Sequence, residues 1–149
     1  MPTKVTYSAP SAIATYLTTE LNSLADAGNK LGAKIDNVAD GENEMFINLE
    51  LYVAAQGSAR SADARVEIYA LPSIDDTNFD YGDDSTNPSP SNLIAVLPLD
   101  AATTARYVTA TNLRIPPLDL KLLVVNETGQ AFAATLSTLK YRIHSLESQ

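Results

Sequence analysis

In the sequence MFINLELYV, residues 45–53, apolar side chains alternate with more polar ones. Successive side chains of a β-strand point to opposite faces, so this alternation places every second residue on one face. The apolar face consists of Met45, Ile47, Leu49, Leu51 and Val53. We therefore predict a long strand with one buried face.

Residues 64–71 alternate in the same way, and the intervening turn residues include Gly57 and Ser58. The two stretches together predict an antiparallel hairpin. Similar patterns, separated by Pro, Gly, Asn and Asp, follow at residues 31–37, 93–99, 106–113, 118–125 and 138–145, with a shorter candidate at 130–134. No helical pattern lies between them, which excludes a parallel α/β sheet. The predicted fold class is all-β, an antiparallel β-sandwich or jelly roll of about seven or eight strands.

One α-helix is predicted ahead of the strands, over residues 8–24. Its apolar residues recur at helical spacing and form one stripe: Ile13, Leu17, Leu21 and Leu24. We expect an N-terminal arm and helix at residues 1–28 and a β-sandwich domain at residues 29–149. The stripe is a candidate partner-binding surface that serves attachment or assembly; the alternative is that the helix caps its own sandwich.

Composition narrows the possible partners. The 149 residues suit one ordinary globular domain, and the formal charge is −8. Residues 68–105 contain no Lys or Arg, which argues against a phosphate-backbone partner, so no nucleic acid is expected. The longest apolar runs are strand-sized, so no membrane partner is expected either. Without cysteine the fold must hold by packing alone, and without a secretory signal we expect synthesis in the cytoplasm.

No residue pattern points to catalysis. His144 is the only histidine, and its alternation with Arg142 and Lys140 predicts an exposed position on a polar strand face. No nucleophile elbow or phosphate-binding glycine cluster is present, so we predict no catalytic residue and no cofactor. Asn126 begins a glycosylation sequon, which we interpret instead as a turn in which Gly129 supplies a positive φ.

Residues 73–92 form the only long irregular segment, and they contain five aspartates. Calcium binding is one interpretation, but the spacing does not match a calcium loop, so we expect a solvated acidic excursion and no metal. Phe79 and Tyr81 lie within the segment and are candidate partner-binding residues. The alternative is that these two rings pack beneath their own loop.

Three stretches carry a resemblance to a known class of protein: LYVAAQGSAR at residues 51–60, VEIYALPS at residues 66–73 and LLVVNETGQA at residues 122–131. Across residues 31–145 the chain resembles small β-sandwich virion structural proteins of tailed bacteriophages, the head decoration (cement) and fibre-like proteins. The resemblance implies a homo-oligomeric virion component that binds the major capsid protein and copies of itself.

The expected function is therefore that of a non-catalytic capsid decoration protein, which binds the outer surface of the capsid lattice and stabilises the head. A negatively charged protein suits the outer surface better than the DNA-filled interior. The alternative is a receptor- or glycan-binding module of a tail fibre or baseplate that uses Phe79 and Tyr81. A carbohydrate-active enzyme with a converging carboxylate pair is a third, weaker interpretation.

Overall fold

A computed structural model describes residues 4–38 and 43–148 of the chain. Its strands are β1 (Val5–Tyr7), β2 (Ala14–Leu17), β3 (Asn29–Ile35), β4 (Phe46–Val53), β5 (Arg65–Ser73), β6 (Leu93–Pro98), β7 (Arg106–Arg114), β8 (Asp119–Glu127), β9 (Thr138–His144) and β10 (Leu146–Ser148). Short 3₁₀ turns occur at Thr19–Leu21 and Pro90–Asn92. Within the described ranges, no helix is long and apolar enough to cross a membrane.

Eight of the strands form two antiparallel four-stranded sheets. The front sheet has the order β2-β9-β4-β7 and the back sheet the order β3-β8-β5-β6. The remaining strands, β1 and β10, pair with each other to form a short ribbon. Side chains from both sheets meet in one hydrophobic cluster, which makes the fold a β-sandwich, as the alternating patterns predict. The seven strands β3 to β9 coincide closely with seven of the predicted stretches, whereas residues 130–134 form no strand. The described residues form ten strands, more than the seven or eight predicted, because β1, β2 and β10 lie where the sequence predicts none.

The predicted N-terminal α-helix is wrong. Residues 14–17 form strand β2, which pairs with β9, and Ser11 N donates to Ile143 O just ahead of it. Thr and Tyr are common in this stretch and favour strands, so pairing with β9 prevails over a helical spacing of only four apolar residues. Residues 14–21 thus supply a strand and two buried leucines to the sandwich, although from the sequence we expect them in a separate N-terminal arm that ends at residue 28.

The predicted hairpin of β4 and β5 is also wrong, because the two strands belong to different sheets. Residues 54–64 cross between the sheets, and the apolar sides of the two strands face each other across the core. The crossing is held by Arg60, whose side chain is fully buried and donates to Asp100 Oδ1 at 2.9 Å and to Thr104 O at 3.0 Å. A connection of this length is typical of a crossing and longer than a tight hairpin turn.

Tyr16 ties the two sheets together at one edge. Leu122 N of the back sheet donates to its hydroxyl oxygen at 2.7 Å, and the hydroxyl donates to Ala33 O at 2.6 Å. The register of β3 on β8 shifts between Leu31 and Lys34. At that irregularity the Tyr16 hydroxyl accepts the hydrogen bond from Leu122 N–H. Burial raises the pKa of Tyr16 well above its usual value.

Candidate functional site

The four residues of the predicted stripe do not share one surface. Leu17 and Leu21 are 2% and 0% exposed and belong to the core of the sandwich, and Leu24 packs against that core. Leu17 and Leu21 are therefore unavailable to a partner in the folded chain, whereas Leu24 is half-buried. Ile13 is 65% exposed and lies on the outer face of the front sheet.

The irregular segment of residues 73–92, here called the acidic segment, covers the outer face of the back sheet. Its Gly82 packs so close to Leu71 and Leu123 that a Cβ there would lie 3.2 Å from each of their side chains. Asp84 accepts from Leu31 N at 2.7 Å and forms an ion pair with Lys30. These contacts explain why a second group of apolar residues is buried on the outside of the back sheet. The segment is anchored at these points, while its five aspartates are exposed to solvent, as the sequence predicts.

The two aromatic residues of the acidic segment have different surroundings. Phe79 is half-buried, and Lys121 Nζ lies 4.3 Å from the centre of its ring, which is a cation–π contact. Tyr81 is 62% exposed. Both line an open hollow of about 380 Å³, which Asp80 and Asp83 also line. Phe79 therefore packs beneath its own segment, as the alternative predicts, whereas Tyr81 faces solvent. That either ring binds a partner stays a prediction.

Asp75 and Asp83 are hydrogen-bonded within the acidic segment. Asp75 accepts from Asn78 N at 2.7 Å and Thr77 N at 3.0 Å, and Asp83 accepts from Ser85 N and Thr86 N. Hydrogen bonds to the charged form hold the pKa of both carboxyls below the usual range. In residues 4–38 and 43–148, no group of three or more His, Cys, Asp or Glu side chains is placed to hold a metal ion.

A second carboxylate cluster lies where the acidic segment meets the back sheet. Asp119 is 1% exposed and accepts from Lys34 Nζ at 2.6 Å and from Asn37 N at 2.8 Å. Burial acts to raise the pKa of Asp119, but these donors outweigh it and the pKa is lowered. A hydrogen bond with Asp119 raises the pKa of neighbouring Asp76. The cluster anchors the start of the acidic segment to β8.

The outer face of the front sheet is here called the front face, and no segment within residues 4–38 and 43–148 covers it as the acidic segment covers the back sheet. Side chains that alternate with the core residues of β4, β7 and β9 point outward here, as the register shows. The front face consists of Ile13, Asn48, Glu50, Tyr52, Tyr107, Thr109, Arg114, Lys140 and Arg142. A groove of about 220 Å³ runs between Ile13, Thr109 and Arg142.

Aromatic and charged side chains share the front face. Tyr52 and Tyr107 lie with ring centres 4.6 Å apart, and Tyr107 is 68% exposed. Lys140 Nζ lies 3.2 Å from Glu50 Oε1, so this pair is neutral as a unit. Arg114 and Arg142 form no ion pair with any residue in the described part of the chain.

His144 lies at one end of the front face, and its predicted exposure is wrong, because only 3% of the residue is exposed. Phe46 stacks on the imidazole at 5.5 Å, and Tyr7 of the terminal ribbon packs edge-on at 5.4 Å. Nε2 lies 3.1 Å from Asn112 Oδ1, at a bulge of β7 where Asn112 has φ +55°. Residues distant in the sequence thus bury His144, and we assign it a structural role.

The sequon asparagine is likewise structural. Asn126 is fully buried, and its amide donates to Leu24 O, Ala25 O and Gln130 O. The predicted positive φ of Gly129 is confirmed at +76°, but Asn126 and Glu127 belong to strand β8 and not to a turn. Asn126 therefore fixes the end of β8 and presents no acceptor amide at the surface.

The residues of the front face other than Ile13 were not among the predicted binding residues. Period-two alternation does place Tyr52 outward, but the sequence alone does not show that Tyr107 of β7 lies beside it. That neighbourhood depends on strand register, which is a long-range property. In comparisons with known proteins, no protein-family model matches this chain and no curated protein matches its sequence.

Proposed function

We propose that the protein is a non-catalytic binding module, and specifically a capsid decoration protein that lies on the outer surface of a tailed-phage head. The observation that carries the proposal is the asymmetry of the two faces. The chain covers the back sheet with its own acidic segment, whereas the front face exposes Ile13 and Tyr107 to solvent. Exposed aromatic and apolar side chains grouped on one face are typical of protein-binding surfaces.

The strand order supports the assignment of the β-sandwich as a jelly roll. Front strands β2-β9-β4-β7 face back strands β3-β8-β5-β6, and every connection from β2 to β9 except β5 to β6 crosses between sheets. We assign this arrangement as an eight-stranded jelly roll, extended by the ribbon of β1 and β10. Jelly rolls are frequent among viral capsid and lectin domains, but a fold alone does not determine function.

The resemblance of residues 31–145 to phage virion proteins suggests which partner the exposed front face binds. A protein that binds only the assembled lattice stabilises that lattice by mass action. In this proposal the front face contacts the major capsid protein, and the acidic segment faces outward. Placement of the acidic side away from the packaged DNA avoids repulsion between like charges.

Copy number tests the proposal. Quantitative mass spectrometry of purified phage particles that contain this chain should find it in a fixed ratio to the major capsid protein, in lattice-scale numbers. A handful of copies per particle, or recovery only with the tail fraction, would contradict a decoration role.

A receptor- or glycan-binding role in a tail fibre or baseplate is the second candidate. The hollow beside Phe79 and Tyr81 favours it, because an exposed aromatic ring next to carboxylates is suited to stack on a sugar and accept its hydroxyl hydrogen bonds. Glycan-array binding that is lost in Tyr81→Ala, with Tyr107→Ala as the control, would support this candidate. Binding to no glycan on the array would count against it.

A further inference from the structure

Charge is distributed unevenly over the two sides of the sandwich. The chain has a formal charge of −8, yet the front face has three cations, Arg114, Lys140 and Arg142, and a single carboxylate, Glu50. The acidic segment over the back sheet has five aspartates and no Lys or Arg. We infer that the front face recognises a carboxylate-rich protein surface, with Arg114 and Arg142 as its anchoring cations. The inference rests on the proposed function, for which it specifies the chemistry of the partner.

Arg114 and Arg142 retain hydrogen-bond donors that the chain itself does not use. Arg114 is exposed and has no ion pair in the described part of the chain. Arg142 donates through Nε to Ser11 O at 2.9 Å, which fixes the side chain and leaves the terminal nitrogens without a carboxylate partner. A guanidinium group has a planar fork of donors that matches a carboxylate in a bidentate arrangement.

The surroundings of the two arginines suit a protein partner. Tyr52 and Tyr107 form an aromatic pair on the same face, and Ile13 lies along the groove. Tyrosine and arginine are the residues in which binding energy at protein interfaces is concentrated. The four strands of the front sheet lie about 4.8 Å apart, which makes the sheet roughly 19 Å wide. Strands β4, β7 and β9 have seven to nine residues and are about 23–30 Å long, whereas β2 has four residues, so the face is smaller than one side of a standard interface.

Charge also selects against self-association through this face. Two front faces placed together would bring two surfaces with the same excess of cations into contact, and like charges brought together in an interface are destabilising. An acidic partner surface would instead satisfy the unpaired guanidinium groups. The acidic segment lies on the opposite side of the sandwich. The electrostatic field of the protein would therefore orient the front face towards an acidic partner.

The first test uses the intact chain and a defined probe, poly-L-glutamate, monitored by backbone NMR. Shifts are expected on β4, β7 and β9, and Arg114→Glu should weaken binding at least about tenfold. Arg114→Lys keeps the charge and is the matched control. Arg142→Glu provides a second variant, with a thermal melt to show that loss of the Ser11 contact has not unfolded the chain.

Three outcomes would overturn the inference: shifts confined to Lys30 and Lys121 near the acidic segment, unchanged affinity in both Glu variants, or front-face binding to a DNA oligonucleotide and none to poly-L-glutamate. The second test adds each variant to phage heads stripped of the chain. If the wild-type chain and Arg114→Glu bind these heads equally well, the inference that the arginines anchor a carboxylate-rich partner fails, while the decoration role stands. If the wild-type chain does not bind heads, the decoration role fails, and the inference about its partner fails with it.

Discussion

The aromatic ring of Tyr16 occupies the space that a side chain at Gly32 would need. A Cβ built on Gly32 would lie 2.2 Å from Cε1 and 2.6 Å from the hydroxyl oxygen of Tyr16. The missing side chain therefore allows the ring of a front-sheet residue to reach the backbone of the back sheet, where its hydroxyl bonds Ala33 and Leu122.

Gly32→Ala should destabilise the fold by about 1–3 kcal/mol, because the added methyl group overpacks against the ring. Tyr16→Phe should cost about 1–3 kcal/mol, because Leu122 N–H loses its acceptor. Chemical denaturation measures both. In a Tyr16→Ala background, Gly32→Ala should have little further cost; a full additional cost would mean that the two residues do not interact as described.

Removal of the N-terminal residues should have opposite results at two cut points. Deletion of residues 1–28 removes β2, Tyr16 and the buried Leu17 and Leu21, so we expect an unfolded or aggregated product. Deletion of residues 1–12 keeps all of them and should give a folded chain. Circular dichroism and thermal melting distinguish the two products. A cooperative melt of the longer deletion would show that the sandwich closes without β2.

The two faces of β4 should differ strongly in their sensitivity to substitution. Leu51 is fully buried in the core, so Leu51→Ala should cost about 2–5 kcal/mol. Glu50 points outward and forms only a half-exposed ion pair with Lys140, so Glu50→Ala should stay within about 1 kcal/mol of neutral. Equal costs in urea denaturation would mean that the strand faces are assigned incorrectly.

Acid should release the acidic segment from the back sheet. Burial acts to raise the pKa of Asp84, but the Leu31 N–H and Lys30 lower it overall. A lowered folded-state pKa means that the ionised carboxylate stabilises the folded segment above the unfolded value of about 3.9, and that this contribution is lost as the pH falls below it. The NMR signals of Phe79 and Tyr81 should therefore shift as the pH falls from about 4.

Asp84→Asn should reduce this acid response and leave the segment partly loosened at neutral pH, because the Lys30 ion pair is lost. Asp63→Asn is the control, since Asp63 is an exposed aspartate of the 54–64 connection. An unchanged acid response in Asp84→Asn would indicate that other carboxylates hold the segment.

The sequence predicts the strands from β3 to β9 because period-two alternation is a local property of each stretch. It does not predict which strands pair, and the supposed β4–β5 hairpin fails for that reason. At the N-terminus, the spacing of Leu17 and Leu21 fits a helix as well as it fits a strand followed by a turn. Only pairing with β9 decides between the two.

The candidate site could be predicted only in part, for the same physical reason. Alternation shows that Tyr52 and Arg142 point away from the core, but the register of three strands brings them onto one surface. The burial of His144 depends on Tyr7, which lies near the N-terminus in β1, and on Asn112, which lies at the bulge of β7. The covering of the back sheet depends on the path of the acidic segment, which has no periodic pattern.

A cryo-electron microscopy reconstruction of the parent phage particle would show where the chain lies and which face it turns to the capsid. We predict density for the sandwich on the outer capsid surface at lattice positions, with the β2-β9-β4-β7 face against the major capsid protein and residues 73–92 directed away from it. Density for the chain only in the tail, or on the capsid with Tyr107 and Arg114 facing solvent, would contradict it.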